Sequence, residues 1–512
     1  MNQRYSSKVR WLILIAAVAK LLVSALLELG NDEVYYWIYA IQPDWNHFDH
    51  PPMVGWLIRV TTFNLLWVNE VSLRLGSIIC ASVSTWFIFK TGKLLANERA
   101  GWYAALIYNF SVYTGFIAGM FILPDSPQMP FWTGALYIMA HLFVRNDEHK
   151  LGIWLLLGLM IGLAALCKVH GLFLWAGFGL FLLIVRAKWL LNWRLYAAVA
   201  VTLVCVFPIV YWNVLNDFIT YRFHSERVTH TSLQWDMLGR EIAGEIVYQN
   251  PVIFLLVIAA LFTMLANRIR FSRRSASVWL LCMSLPMIAV FWGISLLNPT
   301  LPHWSGPGYI PLFLVAGVFL EQRSRQSVPG ILKVAATLVS VALVAGVLLV
   351  RLSPVNFGSH DRQNFGEYCP TLDLSGWRSF SKRFAALKQQ DIDNGRMRDS
   401  TPIITDKWFP AGHLEFYTAR TTHTTLLGVG KLEDIHKFAW LNRERSPLRI
   451  GQDAYVIVPS NLPLNVKEAY GSYFSKIEVP AIIPQKRMGR IVRYFYVYRL
   501  KDCRLLPKMG VL

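Results

Sequence analysis

Carboxylates and imidazoles cluster directly after the first apolar run of the chain, in residues 29–56, LGNDEVYYWIYAIQPDWNHFDHPPMVGW. Asp32 and Glu33 are adjacent, and Asp49 and His50 precede a double proline. A positioned carboxylate can act as a general base toward an incoming nucleophile. The alternative is local: Asn31 or Asp32 can cap a short interfacial helix and Asp49 the next helix, with the aromatic residues as an anchor at the membrane interface.

Further charged residues lie in later polar segments. They are Asp125 in FILPDSPQMP, Lys168 and His170 in LCKVHGLF, Arg222, His224, Arg227 and His230 in YRFHSERVTH, and His303 in NPTLPHWSGPGYIPL. Cations bind phosphate through charge-assisted hydrogen bonds. A set of cations opposite a set of acids therefore favours a lipid-phosphate substrate. The alternatives are a helix cap for Asp125, a snorkelling side chain for Lys168 and a solvated charged face for the others.

The composition indicates which elements must position these residues. Of 512 residues, 54% are hydrophobic and only 16% are charged, with a formal net charge of +19. Soluble domains carry roughly 25% charged residues. The chain is therefore predicted to be an integral membrane protein, and its basic residues are assigned to cytoplasmic loops rather than to nucleic acid.

Apolar runs near the length of a bilayer span predict about eleven transmembrane helices. They are residues 11–28, 71–90, 100–121, 128–144, 151–167, 171–187, 195–212, 250–267, 277–297, 306–320 and 330–350. No small-residue cleavage site follows the first run, so it is interpreted as an uncleaved helix. Alternate loops are rich in Lys and Arg, which predicts a cytoplasmic N-terminus and places the acidic and histidine-rich loops outside.

After Arg351 the sequence becomes more polar and the long apolar runs stop. Residues 352–512 are predicted to form a small α/β domain outside the membrane. Its strand-like stretches are TPIITD, DAYVIVP, SKIEVPAII and RIVRYFYVYRL, and GWRSFSKRFAALKQQ is helix-like. Residues 1–351 form the predicted transmembrane domain, with residues 29–70 as its first outer loop. Cys369 and Cys503 bracket the outer domain, and a disulfide between them is a candidate in an oxidising compartment.

The motifs together resemble membrane glycosyltransferases of the GT-C fold, in the branch that contains bacterial lipid A aminoarabinose transferases and relatives of protein O-mannosyltransferases. NDEVYYW is similar to the Asp-Glu motif of the first outer loop in that family. HFDHPPM, LPDSP, CKVHG and PHWSGPGYIPL are similar to later motifs, in the same order. The chain departs from the aminoarabinose branch at Asp49-His50, where that branch has Glu-Lys, so substrate specificity does not carry over.

The resemblance implies a bacterial inner-membrane enzyme that transfers a sugar from a polyprenyl-phosphate donor to a lipid, glycolipid or other periplasmic acceptor. With this reaction, Asp32 is predicted to act as general base or to orient the acceptor, supported by Glu33 and Asp125. Phosphate binding is assigned to Lys168, Arg222 and His303, with Asp49 and His50 as further substrate contacts. A divalent metal has the candidate ligands Asp49, His50, His224 and His303, but their spacing defines no ligand set.

Two alternatives stay open, a lipid-linked sugar transporter or flippase and a protein O-glycosyltransferase. A transporter is expected to carry polar residues along the middle of its helices. The apolar runs are nearly free of such residues, which favours the enzyme.

Overall fold

The structure, a computed structural model, describes residues 4–225 and 232–510. Arg227 and His230, two of the predicted cations, lie outside the described residues. The helices are, in chain order, α1 (Arg4–Leu26), α2 (Asn31–Ile41), α3 (Met53–Thr61), α4 (Glu70–Leu95), α5 (Glu98–Phe110), α6 (Asp125–Arg145), α7 (Leu151–Cys167), α8 (Phe173–Val185), α9 (Trp193–Leu215), α10 (Ile219–Ser225), α11 (Trp235–Tyr248), α12 (Pro251–Leu265), α13 (Ser275–Ser295), α14 (Gly306–Arg323), α15 (Gly330–Leu352), α16 (Trp377–Asp393), α17 (Trp408–His413), α18 (Leu432–Ile435), α19 (Phe438–Asn442) and α20 (Val466–Tyr470). The strands are β1 (Ile403–Thr405), β2 (Leu426–Gly428), β3 (Ala454–Pro459), β4 (Phe474–Ile477), β5 (Ala481–Arg487) and β6 (Arg490–Cys503).

The chain separates into two compact units. The membrane unit consists of Met1–Leu22, Asp44–Trp67 and Val71–Leu343, and the C-terminal unit consists of Val23–Pro43, Val68–Glu70 and Val344–Leu512. The sequence-based boundary left all of residues 29–70 with the transmembrane domain. The structure instead groups α2 with the C-terminal unit, because its aromatic side chains pack there.

Each of the eleven apolar runs contains a helix in the structure. By length and composition, five helices among the described residues are able to cross a membrane, or six if α11 and α12, which bend by 103°, form one span. The run at 100–121 is not one helix, since α5 ends at Phe110 and Ser111 adopts extended backbone before a π-helical turn at Tyr113–Ile117. The multi-pass architecture is therefore present, and the figure of eleven spans stays a prediction.

Small residues bring the helices of the membrane unit close together. A Cβ at Gly158 of α7 would collide with the carbonyl of Ala198 on α9, and one at Gly162 would lie 2.6 Å from the Cβ of Cys205. Small side chains let helix backbones approach in a membrane, where burial of apolar surface gives little net attraction. Cys205 thus acts as a small apolar residue in the contact between α7 and α9.

The C-terminal unit is built on a six-stranded mixed sheet. Its strand order is β2-β1-β3-β6-β4, with β5 paired to β6. β1 runs parallel to β2 and β3, whereas β6 is antiparallel to β3, β4 and β5. The helix α16 and the strands β1, β3 and β6 are confirmed, whereas the predicted stretch SKIEVPAII is divided between β4 and β5. β2 has only three residues and was not predicted.

The aromatic side chains of helix α2 are buried within the C-terminal unit, whereas the sequence predicted them as an exposed anchor at a membrane interface. Tyr35 and Trp37 are 2% and 3% exposed. The Tyr35 ring centroid lies 5.0 Å from that of Trp408, and the Trp37 ring meets Phe416 edge-on at 4.9 Å. Aromatic rings packed edge-on are stabilised beyond their burial, so protein partners replace the predicted interfacial anchor.

The two cysteines of the C-terminal unit are free, so the disulfide predicted between them is not formed. Cys369 packs with Leu372 and Val492, and its Sγ lies 3.4 Å from a threonine hydroxyl. Cys503 ends β6 in a separate apolar cluster of the sheet. Two buried thiols in different clusters behave as small apolar side chains.

Candidate functional site

The predicted site residues divide between the two units. Asp125, Lys168 and His303, with Asp49 and His50, belong to the membrane unit. Asp32 and Glu33 belong to the C-terminal unit.

A buried ion pair forms the centre of the set in the membrane unit. Asp125 is the first residue of α6, and Lys168 follows the last residue of α7. Lys168 Nζ lies 3.0 Å from Asp125 Oδ2 and 3.3 Å from Oδ1, and Tyr113 donates its hydroxyl to Oδ1 at 2.9 Å. The interpretation of Asp125 as the cap of α6 is wrong. Pro124 is the N-cap residue, and there is no side-chain capping hydrogen bond at this N-terminus.

The turn after α7 is held rigidly by Gln128. Its Nε2 donates to the carbonyls of Ala164 and Lys168, each at 3.0 Å, and its Oε1 lies 2.7 Å from His170 Nε2. A Cβ at Gly171 would lie 2.6 Å from the backbone of Ala164. Only glycine permits this close backbone approach, which explains the glycine of the CKVHG motif.

Imidazoles surround the ion pair. Burial, with a smaller contribution from the nearby Lys168 ammonium, lowers the pKa of His50 and of His303 to about 4. Burial likewise lowers the pKa of His170 well below its usual value, with Lys168 contributing. These rings are therefore neutral at neutral pH, and Lys168 supplies the positive charge at this point.

The segment that carries His303 is anchored at both ends by two glutamates of α11. Thr300 donates its hydroxyl to Glu241 Oε2 at 2.8 Å, and Ser305 donates its hydroxyl to Glu245. Glu245 Oε2 also accepts from Tyr309, the hydroxyl of which lies at 2.8 Å. The sequence reasoning missed both glutamates, although two acids four residues apart beside apolar runs are a signal of buried polar contacts.

The neighbourhood of Asp49 is a second polar region of the membrane unit. His224 Nε2 lies 3.0 Å from the backbone oxygen of Asp49, and the His50 and His224 ring centroids are 6.4 Å apart. Asp49 is not the cap of α3, because Pro52 is its N-cap. Arg222 is exposed on α10.

No group of three His, Cys, Asp or Glu side chains in residues 4–225 and 232–510 is arranged to hold a metal ion.

In the C-terminal unit, the two adjacent acids differ in environment. Glu33 is buried, and its Oε2 accepts the backbone N–H of Gly30 at 2.8 Å, so it holds the first turn of α2. The prediction that Asn31 or Asp32 caps this helix is wrong, because Gly30 is the N-cap. Asp32 is exposed. Beside it, Asn31 donates to Asp373 Oδ2 at 2.9 Å and contacts His413 Nε2 at 2.8 Å. The α2 N-terminus is thus fixed while the Asp32 carboxylate stays accessible.

Replacing Gly306 with alanine should destabilise the protein. A Cβ at this position would lie 2.5 Å from the ring of Tyr113, which is fully buried and donates to Asp125. Overpacking of this kind costs about 1–3 kcal/mol, and we expect a lower unfolding temperature for the purified protein in detergent. Gly293→Ala is the matched control, because a Cβ there meets nothing within 4 Å. Equal unfolding temperatures for the two variants would contradict the packing described for Tyr113.

The neutral histidines predict a pH dependence of stability. His50 and His303 have pKa values of about 4 in the folded protein, and unfolded histidine has a pKa of about 6.5. Because the unfolded state binds protons first, the free energy of unfolding should fall as the pH falls from about 6.5 toward 4, by about 1.4 kcal/mol per pH unit for each such histidine. Unfolding temperatures measured from pH 7 to pH 5 should decline less steeply in His303→Gln than in the control His149→Gln, in which an exposed histidine is changed. The same decline in both variants would show that His303 does not contribute to the pH dependence of stability.

Comparison with known proteins gives a family match and two related enzymes. The family described as Dolichyl-phosphate-mannose-protein mannosyltransferase matches residues 49–212. The lipid A galacturonosyltransferase RgtD of Rhizobium johnstonii is 26% identical over 288 residues, which are 54% of this chain and 58% of that protein. The undecaprenyl phosphate-alpha-4-amino-4-deoxy-L-arabinose arabinosyl transferase of Yersinia enterocolitica is 28% identical over 125 residues, which are 24% of this chain and 22% of that protein. The matches thus span less than two thirds of the length of either curated relative.

Solved structures match over almost the whole chain. ArnT from Cupriavidus metallidurans bound to undecaprenyl phosphate has a TM-score of 0.62 at 16% identity, covering 97% of this chain and 98% of that one. The apo form of the same protein has a TM-score of 0.60 at 16% identity, covering 96% and 98%. The predicted fold class is confirmed: this chain is a multi-pass membrane protein with the GT-C fold, similar in architecture to ArnT.

Proposed function

We propose that this protein is a membrane glycosyltransferase that moves a sugar from a polyprenyl-phosphate carrier to a lipid acceptor of the lipid A type. The observation that carries the proposal is the buried Asp125–Lys168 pair with neutral imidazoles around it. The names of the two related enzymes support the choice of lipid A as acceptor and of an undecaprenyl-phosphate sugar as donor.

Lys168 is the group proposed to stabilise the leaving phosphate. An ammonium has three N–H donors, and the two oxygens of Asp125 lie within 3.3 Å of Nζ. The third donor is then available to a phosphate oxygen. The neutral rings of His50 and His303 can donate N–H groups to the same anion, and an anion close by would raise their pKa values.

Asp32 is proposed as the general base. Its carboxylate takes the proton from the acceptor hydroxyl, and the acceptor oxygen forms a new bond to the anomeric carbon. The bond between that carbon and the phosphate oxygen breaks, and the polyprenyl phosphate leaves with the electron pair. Glu33 accepts a hydrogen bond from the backbone N–H of Gly30, and this bond fixes the start of α2 and therefore the position of Asp32.

The proposed location is the bacterial inner membrane, with the reaction and the C-terminal unit on the periplasmic side. The alternation of loop charge supports this orientation, since Lys and Arg collect in cytoplasmic loops. The loop between α12 and α13, with the sequence NRIRFSRR, is an example of a cytoplasmic loop in this scheme.

Purified protein incubated with labelled polyprenyl-phosphate sugars and a panel of lipid A acceptors should transfer label to at least one acceptor. Acceptor proteins in the same panel distinguish protein O-glycosylation. Absence of transfer from every donor, with protein that still unfolds cooperatively, would contradict the proposal.

A further inference from the structure

A pocket of about 290 Å³ lies within the C-terminal unit and is separate from the residues assigned to the reaction. It is lined by Val68, Asn69, Glu70, Arg378, Ser381, Lys382, Phe416, Tyr417, Arg420 and Thr421. Its volume is just below the range for small-ligand sites, about 300–1,000 Å³. It can therefore hold a small group such as a phosphate but not the acyl chains of a lipid.

Three cationic side chains and one carboxylate line this pocket. Arg378 forms an ion pair with Glu70. The Arg420 guanidinium lies 4.8 Å from the ring centroid of Phe416 and donates its Nε to the Phe416 carbonyl at 3.1 Å. Lys382 is exposed and has no ion-pair partner within the described parts of the chain. One carboxylate for three cations leaves an excess of positive charge, which favours an anionic ligand.

Burial lowers the pKa of Arg420, the Glu70 carboxylate opposes this effect, and the charge of Arg378 adds a smaller lowering. A bound anion would further favour the charged form of Arg420. A planar guanidinium matches the geometry of phosphate oxygens with two parallel N–H donors. Thr421 donates its hydroxyl to the Tyr417 carbonyl at 2.7 Å, so the hydroxyl of Ser381, 2.9 Å from Thr421 Oγ1, is the one that can turn to donate to a ligand.

The position of the pocket along the chain points to a ligand that belongs to a membrane. Glu70 is the first residue of α4, and α4 is long and apolar enough to cross a membrane. Residues at the start of such a helix lie at the level of the lipid head groups. A phosphate presented at this level is carried by a lipid.

We propose that this pocket binds a phosphate group on the head group of the lipid acceptor, and so selects phosphorylated glycolipids as substrates. The proposal rests on the proposed function for the identity of the acceptor. The binding itself requires no sugar transfer, so the two can be tested separately.

The test measures binding of labelled lipid A and of enzymatically dephosphorylated lipid A to the full-length protein in phosphatidylcholine nanodiscs. The wild-type protein should prefer the phosphorylated lipid. Lys382→Gln combined with Arg420→Gln should weaken its binding by roughly tenfold or more, since charge-assisted bonds to phosphate are lost. Lys382→Gln alone should give a smaller loss without disturbing the packing of Arg420. Lys467→Gln combined with Arg490→Gln removes the same charge from exposed positions outside the pocket and should bind as the wild type does.

Loss of the preference in the pocket variants, with retention in the control, supports the site even if no sugar transfer is found. Equal binding of both lipids by the wild type, or unchanged binding by the pocket variants, would overturn it while leaving the proposed activity intact. Inorganic phosphate that displaces lipid A as efficiently as unlabelled lipid A would identify a site for free phosphate and would also overturn it.

Discussion

Replacing Lys168 with methionine should reduce sugar transfer by roughly 10²–10³-fold, the loss found when one group that stabilises developing negative charge is removed. The same change should lower the free energy of unfolding by about 3–5 kcal/mol, because a buried carboxylate loses its partner. Asp125 is 1% exposed, and its hydrogen bond from Tyr113 does not supply a charge. Transfer rates at saturating donor and unfolding temperatures of the purified protein measure the two effects.

The double change Lys168→Met with Asp125→Asn separates catalysis from stability. A neutral amide needs no cationic partner, so we expect much of the lost stability to return while transfer stays low. Lys93→Met is the matched control, since it removes an ammonium from the exposed ion pair with Glu98, and exposed pairs contribute only about 0–1 kcal/mol. Recovery of transfer together with stability in the double variant would show that the reaction does not need the Lys168 ammonium.

Replacing Asp32 with asparagine should lower sugar transfer by about 10²–10⁴-fold, the usual contribution of a positioned general base. Stability should change little, because the side chain is exposed and the α2 N-terminus is held by Asn31 and Glu33. The measurement is kcat for a fixed donor and acceptor, with the unfolding temperature determined on the same preparation.

Asp361→Asn is the control for the Asp32 variant, because it removes one exposed carboxylate elsewhere in the C-terminal unit. It should transfer sugar at the wild-type rate. An Asp32→Asn protein with near-normal kcat would remove Asp32 from the mechanism and leave the proposals for Lys168 and for the lipid pocket unaffected.

The local sequence pattern was sufficient to predict that this is a membrane protein and to locate most of its helices and strands. Hydropathy depends on composition within one segment, so all eleven apolar runs contain helices in the structure. The alternation of β-branched and aromatic residues located β3 and β6 in the same way. The motifs around Asp125, Lys168 and His303 identified these residues as candidates for the site but did not show which side chains they contact.

The partners of these side chains depended on the packing of distant segments. Asp125 and Lys168 are 43 positions apart, and their ion pair requires the start of α6 beside the end of α7. Only this arrangement distinguishes an ion-paired aspartate from the helix cap that the local sequence also permits. Gln128 and Glu245 were missed for the same reason, since their partners lie on other segments.

The sequence by itself determined a multi-pass membrane protein with a C-terminal α/β region and a short set of polar residues that could perform chemistry. The tertiary structure decided that α2 belongs to the C-terminal unit, that Glu33 caps its helix while Asp32 is exposed, and that Cys369 and Cys503 stay apart. Segment composition fixes whether a helix or strand forms and whether it is apolar. Contacts between segments far apart in the chain fix the charge, burial and partners of each side chain, and these properties decide its chemistry.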